Sequence, residues 1–221
     1  VLIAPLAAQA AERSGRMVEQ PPTVPARRLV PMAPPVQVRP AAGSLAALGM
    51  AAQVCRACPI GQQATQAVMG EGPLRARLMF VGEQPGDQED IAGRPFVGPA
   101  GQLFDRALAR TGLPRNEVFV TNAVRHFKFE LRGKRRLHKT PTQREADACL
   151  HWLEDEIELV KPEALIALGA TAARSLMGRA IPVTTERGKW LERSDGKIVL
   201  ITLHPSALLR MPDEDKEKAF E

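Results

Sequence analysis

From residue 76 onward, short apolar runs alternate with amphipathic stretches along this chain. Ala76-Arg77-Leu78-Met79-Phe80-Val81-Gly82 is a short apolar run closed by glycine, the pattern of a strand buried on both faces. Val118 to Val124, Ala164 to Gly169 and Lys197 to Leu203 repeat it. Between them, residues 100 to 111 place Leu103, Phe104, Ala107 and Leu108 at helical spacing. Thr142 to Val160 reads as a long helix, with Thr142 and Glu145 placed as a capping box. A further helix runs to Met177, and residues 44 to 54 start a first one. Strands alternating with helices predict an α/β fold, a three-layer α/β/α arrangement around a mostly parallel four-stranded sheet. Ligands of such sheets bind beyond the carboxyl ends of the strands. Glu83, Gln84 and Asp87 follow the first strand, Asn122 ends the second and His204 follows the fourth.

The first fifty residues break this pattern. They hold eight of the nineteen prolines and much alanine, so neither period survives. Residues 1–45 are expected to form a disordered Pro/Ala-rich linker ahead of a domain at 46–221. The start at Val1 reads as a piece cut from a longer chain, with a fused upstream domain expected.

Charge adds a partner. The net charge is only +5, from 30 Lys and Arg against 25 Asp and Glu. Residues 125 to 139, however, hold seven basic residues and one acid, Glu130. Such a stripe suits a polyanion, although most charge runs are solvated loops. Within it, Gly133-Lys134-Arg135-Arg136-Leu137-His138-Lys139 surrounds one histidine with cations. Those charges can grip a phosphate backbone and depress the histidine pKa, leaving a neutral imidazole that is a potential nucleophile. The plainer alternative makes His138 one more phosphate contact. No apolar run is long enough to span a bilayer. Three cysteines are too few for a disulfide framework, and Cys55-Arg56-Ala57-Cys58 has metal-ligand spacing, which favours a cytoplasmic protein.

Three further segments carry candidate chemistry. Gly82-Glu83-Gln84-Pro85-Gly86-Asp87 sets three polar side chains in a turn after a buried strand, although Gly and Pro also make ordinary turns. Gly93 to Gly101 is a rigid loop that holds Phe96 near the cleft or in the core. His204-Pro205-Ser206 opens a short helix. His204 there can donate to a developing anion and Ser206 can hold a phosphate, or His204 can simply cap the helix.

Taken in order, Gly-Glu-Gln-Pro-Gly, the Phe96 loop, Thr121-Asn122-Ala123-Val124 and His204-Pro205-Ser206 resemble the uracil-DNA glycosylase superfamily, close to its family 4. The Gly-Glu-Gln-Pro-Gly-Asp form together with Lys134-Arg135-Arg136-Leu137-His138 looks most like its iron–sulfur UdgX group. The likeness runs from about Cys55 to Phe220. It implies an enzyme that extrudes deoxyuridine from DNA, preferably single-stranded, and breaks the glycosidic bond. Asn122 would read the base edge, Phe96 would stack on the ring, and Asp87 would shape the turn beside it. His204 would stabilise the uracil oxyanion, while Glu83, with Gln84 beside it, would stabilise or orient attack on the sugar cation. His138 would attack the sugar and remain bonded to it. Lys134, Arg135, Arg136, Lys139 and Ser206 would hold DNA.

The same resemblance puts Cys55, Cys58, Cys149 and His126 around a 4Fe–4S cluster. Spacing alone equally allows zinc, since Cys₃His is a common closed zinc site. Two other functions remain open on the residues: a conventional multi-turnover glycosylase, and a non-catalytic DNA-binding module with a zinc staple. The protein is expected to be a bacterial, nucleoid-associated monomer.

Overall fold

A computed structural model describes residues 43–212 and Asp215. They fall within one structural unit, Pro34–Glu221, while Val1–Ala33 and nearly all of the expected linker lie outside the described residues. In chain order the elements are α1 (Leu45–Gln53), α2 (Ile60–Gln63), β1 (Leu78–Gly82), α3 (Asp87–Ala92), α4 (Pro99–Arg110), a 3₁₀ turn, β2 (Phe119–Asn122), β3 (Phe129–Arg132) and β4 (Arg135–His138). There follow α5 (Gln143–Val160), β5 (Ala164–Leu168), α6 (Ala170–Met177), α7 (Val183–Glu186), β6 (Trp190–Glu192), β7 (Ile198–Thr202) and α8 (Pro205–Leu208).

The main sheet runs β2-β1-β5-β7-β6. All five residues of β5 are buried, as a central strand covered on both faces requires. On one face Leu153 and Ile157 of α5 and Ala173 and Leu176 of α6 pack on Val81, Leu165 and Ile201. On the other, Phe104 and Leu108 of α4 meet Phe80, Ile166 and Leu168. Each such Leu or Phe contributes about 1.5–3 kcal/mol of burial, so the three layers hold together through the sheet. Thr142 caps α5 as expected: its hydroxyl accepts from the Glu145 N–H, and Glu145 accepts from the Thr142 N–H. No helix among the described residues is long and apolar enough to cross a membrane.

Two features differ from the expectation. The sheet has five strands, because Trp190–Glu192 adds an antiparallel edge to β7. Three residues with two exposed side chains give no apolar run to read. The basic segment is also not a loop. Residues 129 to 138 form an antiparallel hairpin in which Phe129 pairs with His138 and Arg132 with Arg135. Its two-residue turn is Gly133-Lys134, with Gly133 at φ +60, where a side chain would be strained. The charge run hides the two-residue alternation that identifies such strands.

Candidate active site

The register places the carboxyl ends of four parallel strands side by side: Gly82 beside Asn122, and Leu168 beside Thr202. Above them lies a cavity of about 350 Å³ lined by Phe96, Asn122, His138, His204, Ser206 and Arg210, with Gln84 and Glu89. A second cavity of about 460 Å³ shares Gln84, His138, His204 and Arg210 and adds Glu83. The two histidines therefore stand between two open volumes.

Asn122 ends β2 and is 2% exposed. Its carboxamide and the Phe96 ring meet over Gly82, where a Cβ would come within 2.5 Å of Asn122 Oδ1 and 2.6 Å of Phe96 Cζ. Glycine at position 82 thus makes the room that both side chains fill. Phe96 itself sits at φ +55, a costly conformation for an aromatic residue. Glu89 holds it there. One carboxylate oxygen accepts the Val97 and Gly98 N–H groups at 2.9 and 2.6 Å, and the other accepts the Gly86 N–H at 3.0 Å. The sequence does not mark Glu89, because Gly86 at the N-cap lacks the side chain that completes a Ser/Thr-x-x-Glu capping signature.

His204 caps α8, and its Nδ1 accepts the Ser206 N–H at 3.1 Å, with the Ser206 hydroxyl at 2.8 Å. An accepting Nδ1 puts the proton of the neutral ring on Nε2. Burial, with help from the neighbouring His138 and Arg210, lowers the His204 pKa to about 4, so the ring is neutral at pH 7. The Ser206 hydroxyl and N–H are thereby both engaged with His204. His138 lies at the end of β4 with Nε2 3.4 Å from Glu83 Oε1. The other Glu83 oxygen accepts the Thr171 hydroxyl at 2.6 Å. The His138 pKa is lowered, chiefly by burial, then opposed by Glu83 and assisted by Arg210. The direction is the expected one. Its source is desolvation and Arg210, not the flanking hairpin cations.

Those cations divide into two groups. Lys134 and Arg135 are exposed at the hairpin tip, and Lys139 pairs with Glu130 at 2.5 Å on the surface. Arg136 points inward instead. It meets fully buried Asp90 at 2.6 Å and Asp87 at 2.5 Å, and lies over the Phe127 and Phe129 rings. Gln84 completes the anchorage. Its amide donates to the Lys128 and Lys139 carbonyls and accepts the Lys128 N–H, each at 3.1 Å. Arg136, Asp87 and Gln84 therefore fasten the hairpin that carries His138, and their polar groups are occupied in doing so.

The cysteines and His126 gather around the segment that follows Asn122. Cys55, Ile60, Val124, Cys149 and Trp152 share a buried cluster, with Cys58 packed against it. The three thiols are not disulfide-bonded. Cys149 Sγ accepts the Arg125 N–H at 3.4 Å. Burial raises its pKa to about 11 despite that bond, with smaller contributions from Cys58 and Cys55. Burial likewise lowers His126 to about 4. Gly61 closes the group: a Cβ there would lie 3.0 Å from the Cys55 carbonyl and 3.3 Å from His126 Cε1. Among the described residues no three His, Cys, Asp or Glu side chains converge as on a single metal ion.

The family profile described as the uracil DNA glycosylase superfamily matches residues 69–221. A type-4 uracil-DNA glycosylase of Thermotoga maritima is 39% identical over 177 residues, covering 75% of this chain and 88% of that protein. One from Pyrobaculum aerophilum is 40% identical over 165 residues, covering 72% and 81%. A type-5 uracil-DNA glycosylase from the latter organism is 32% identical over 154 residues, covering 62% and 64%. The chain belongs to the uracil-DNA glycosylase superfamily.

Proposed function

We propose that this protein removes uracil from DNA, preferably single-stranded, and then stays bonded to the abasic sugar through His138, in the manner of the UdgX group. The observation that carries the reading is the pairing of a neutral, half-exposed His138 with Glu83 at 3.4 Å beside the cavity of Asn122 and His204. Single-stranded substrate spares part of the few kcal/mol that unstacking costs. The exposed tip residues Lys134 and Arg135 hold the backbone, with Lys139 behind them.

In the bound state Phe96 stacks on the extruded base, and the Asn122 amide supplies one donor and one acceptor to its edge. As the bond from C1′ to the base breaks, its electron pair leaves with uracil. The Nε2–H of His204 donates to the resulting oxyanion. A neutral donor with a low pKa suits this role, because no proton has to be shed first. Positive charge grows on the sugar and is countered by Glu83, which Thr171 holds in place. The unprotonated nitrogen of His138 then bonds to C1′, the positive charge passes to the ring, and the proton on the ring's other nitrogen leaves through Glu83, 3.4 Å away, to solvent, so that a neutral N-alkylimidazole remains. Without an acid to protonate the departing ring, the adduct persists, so each molecule acts once.

Cys55, Cys58, Cys149 and His126 would hold a 4Fe–4S cluster. Three thiols, a buried neutral imidazole and an N–H bond to one sulfur suit such a group. Zinc held by the same three thiols and imidazole is the alternative. When bound, the cluster would pin the Cys55–Cys58 segment to the bend after Asn122.

The test is incubation with a uracil-containing oligonucleotide followed by a denaturing gel. A protein band shifted by the mass of the DNA supports capture. Abasic product without a shift makes the protein a multi-turnover glycosylase, and unchanged DNA makes it a binding module.

A further inference from the structure

Behind the cavity lies a buried charge network that the reaction just described does not use. The Arg125 side chain and Glu156 are both fully buried. Arg125 Nη1 donates to Glu156 Oε2 at 2.9 Å and to the Thr121 hydroxyl at 2.6 Å, while Nη2 donates to the backbone carbonyl of Asn122. Glu156 also accepts the Thr121 hydroxyl at 2.6 Å and the Gly70 N–H at 2.7 Å. A hydrophobic pair of the same volume would serve stability as well, because desolvating two charges costs several kcal/mol for each. The network therefore calls for a geometric reason.

The sheet topology supplies one. β2 is an edge strand, and alternate residues turn their N–H and C=O groups outward. At Val120 those groups are paired in both directions with Glu71, at 2.9 Å each. Two residues on, at Asn122, no strand continues, and the outward carbonyl is taken by the Arg125 guanidinium. A flat fork anchored on a carboxylate and a hydroxyl replaces the missing strand at the residue whose side chain enters the cavity. The inner edge of the same bend is held by Gly82 and Glu83, whose carbonyls accept the Ala123 and Val124 N–H groups at 2.9 and 3.0 Å. Helix α5 grips the bend at two levels seven residues apart: Cys149 takes the Arg125 N–H and Glu156 takes its side chain. The carboxamide of Asn122 has little slack, since Gly82 leaves no space beneath it.

We propose that Arg125 is a positioning residue for base recognition: by fixing the Asn122 peptide at the open edge of the sheet, it sets the carboxamide at the angle that discriminates uracil. The inference rests on Asn122 as the base reader. Misplacing a recognition group by about 1 Å costs on the order of 100-fold in rate.

Two variants test it. Arg125→Lys keeps a charge for Glu156 but cannot also reach the Thr121 hydroxyl and the Asn122 carbonyl as a fork does. Arg125→Met/Glu156→Gln removes both buried charges, so it folds without an orphaned ion. Single-turnover uracil processing, inhibition by free uracil, affinity for uracil-free oligonucleotide and metal content are measured for each. In both variants processing is expected to fall about 100-fold. Inhibition by free uracil weakens in step, while uracil-free DNA binding and metal content stay at the wild-type level. Unchanged processing and uracil inhibition in the folded variants overturns the proposal. So does a parallel loss of uracil-free DNA binding, which would mark a merely structural role. If the wild-type protein neither processes nor is inhibited by uracil, the base-reading assignment of Asn122 fails first, and that result is distinct from either of these.

Discussion

Replacing Arg136 with alanine separates two roles that look alike in the sequence. The guanidinium joins Asp90, which is fully buried, and Asp87, which is half-exposed, and it covers two aromatic rings. Breaking a buried ion pair costs about 3–5 kcal/mol. The lower figure applies here, because Asp90 keeps the Thr65 N–H at 3.0 Å and the Gln66 N–H at 3.4 Å. Losing about 3 kcal/mol from hairpin docking shifts the docked population by up to roughly 100-fold. The three Gln84 hydrogen bonds remain and absorb part of the loss. Single-turnover capture of a uracil oligonucleotide should therefore slow by roughly 10- to 100-fold. DNA affinity measured against salt gives the second readout. Lys134→Ala removes a tip cation, so the slope of log affinity against log salt should shrink by about 0.7 on single-stranded DNA. Arg136→Ala should leave that slope unchanged. If Arg136→Ala reduces the slope as Lys134→Ala does while capture proceeds at the wild-type rate, Arg136 contacts phosphate and the anchoring argument is wrong.

Other outcomes follow from single contacts. Gly82→Ala drives a methyl group against Asn122 and Phe96, and should lower uracil processing by about 100-fold and stability by about 1–3 kcal/mol; a variant with wild-type kinetics would show that the floor of the cavity yields. Capture needs the neutral ring of His138, and burial holds its pKa below the ordinary 6.5, so protonation should extinguish capture only below pH 6.5; a rate profile already falling at higher pH contradicts this. Purified protein is expected to contain iron and absorb visible light, and stoichiometric zinc without iron after anaerobic preparation would overturn the cluster assignment.

The parallel strands and the longer helices were legible because their physics is local. Each parallel strand is a short apolar run, and α5 announces itself through Thr142 and Glu145. The site residues were legible as types. Asn122, His204 and His138 do converge on one cavity, because three chain segments end at the same edge of the sheet. What stayed hidden depends on partners distant in sequence. Arg136 looks like a phosphate contact until Asp87 and Asp90 are seen facing it. Gln84 beside Glu83 looks catalytic until its amide is found bridging Lys128 and Lys139. Glu89, Thr171 and Arg125 carry no motif of their own, and only the fold brings them to the loop, the carboxylate and the strand end that they hold.

The most direct measurement compares wild type and His138→Ser on the same uracil oligonucleotide, with denaturing gels run before and after alkali. Asn122, His204 and Glu83 are untouched by the change, and the space left by the imidazole admits water to the sugar cation. Wild type should give a denaturant-stable adduct that protease digestion and mass spectrometry trace to the peptide containing His138. The variant should give no adduct and an alkali-cleavable abasic site instead. A denaturant-stable adduct in His138→Ser would place the nucleophile elsewhere and contradict the account.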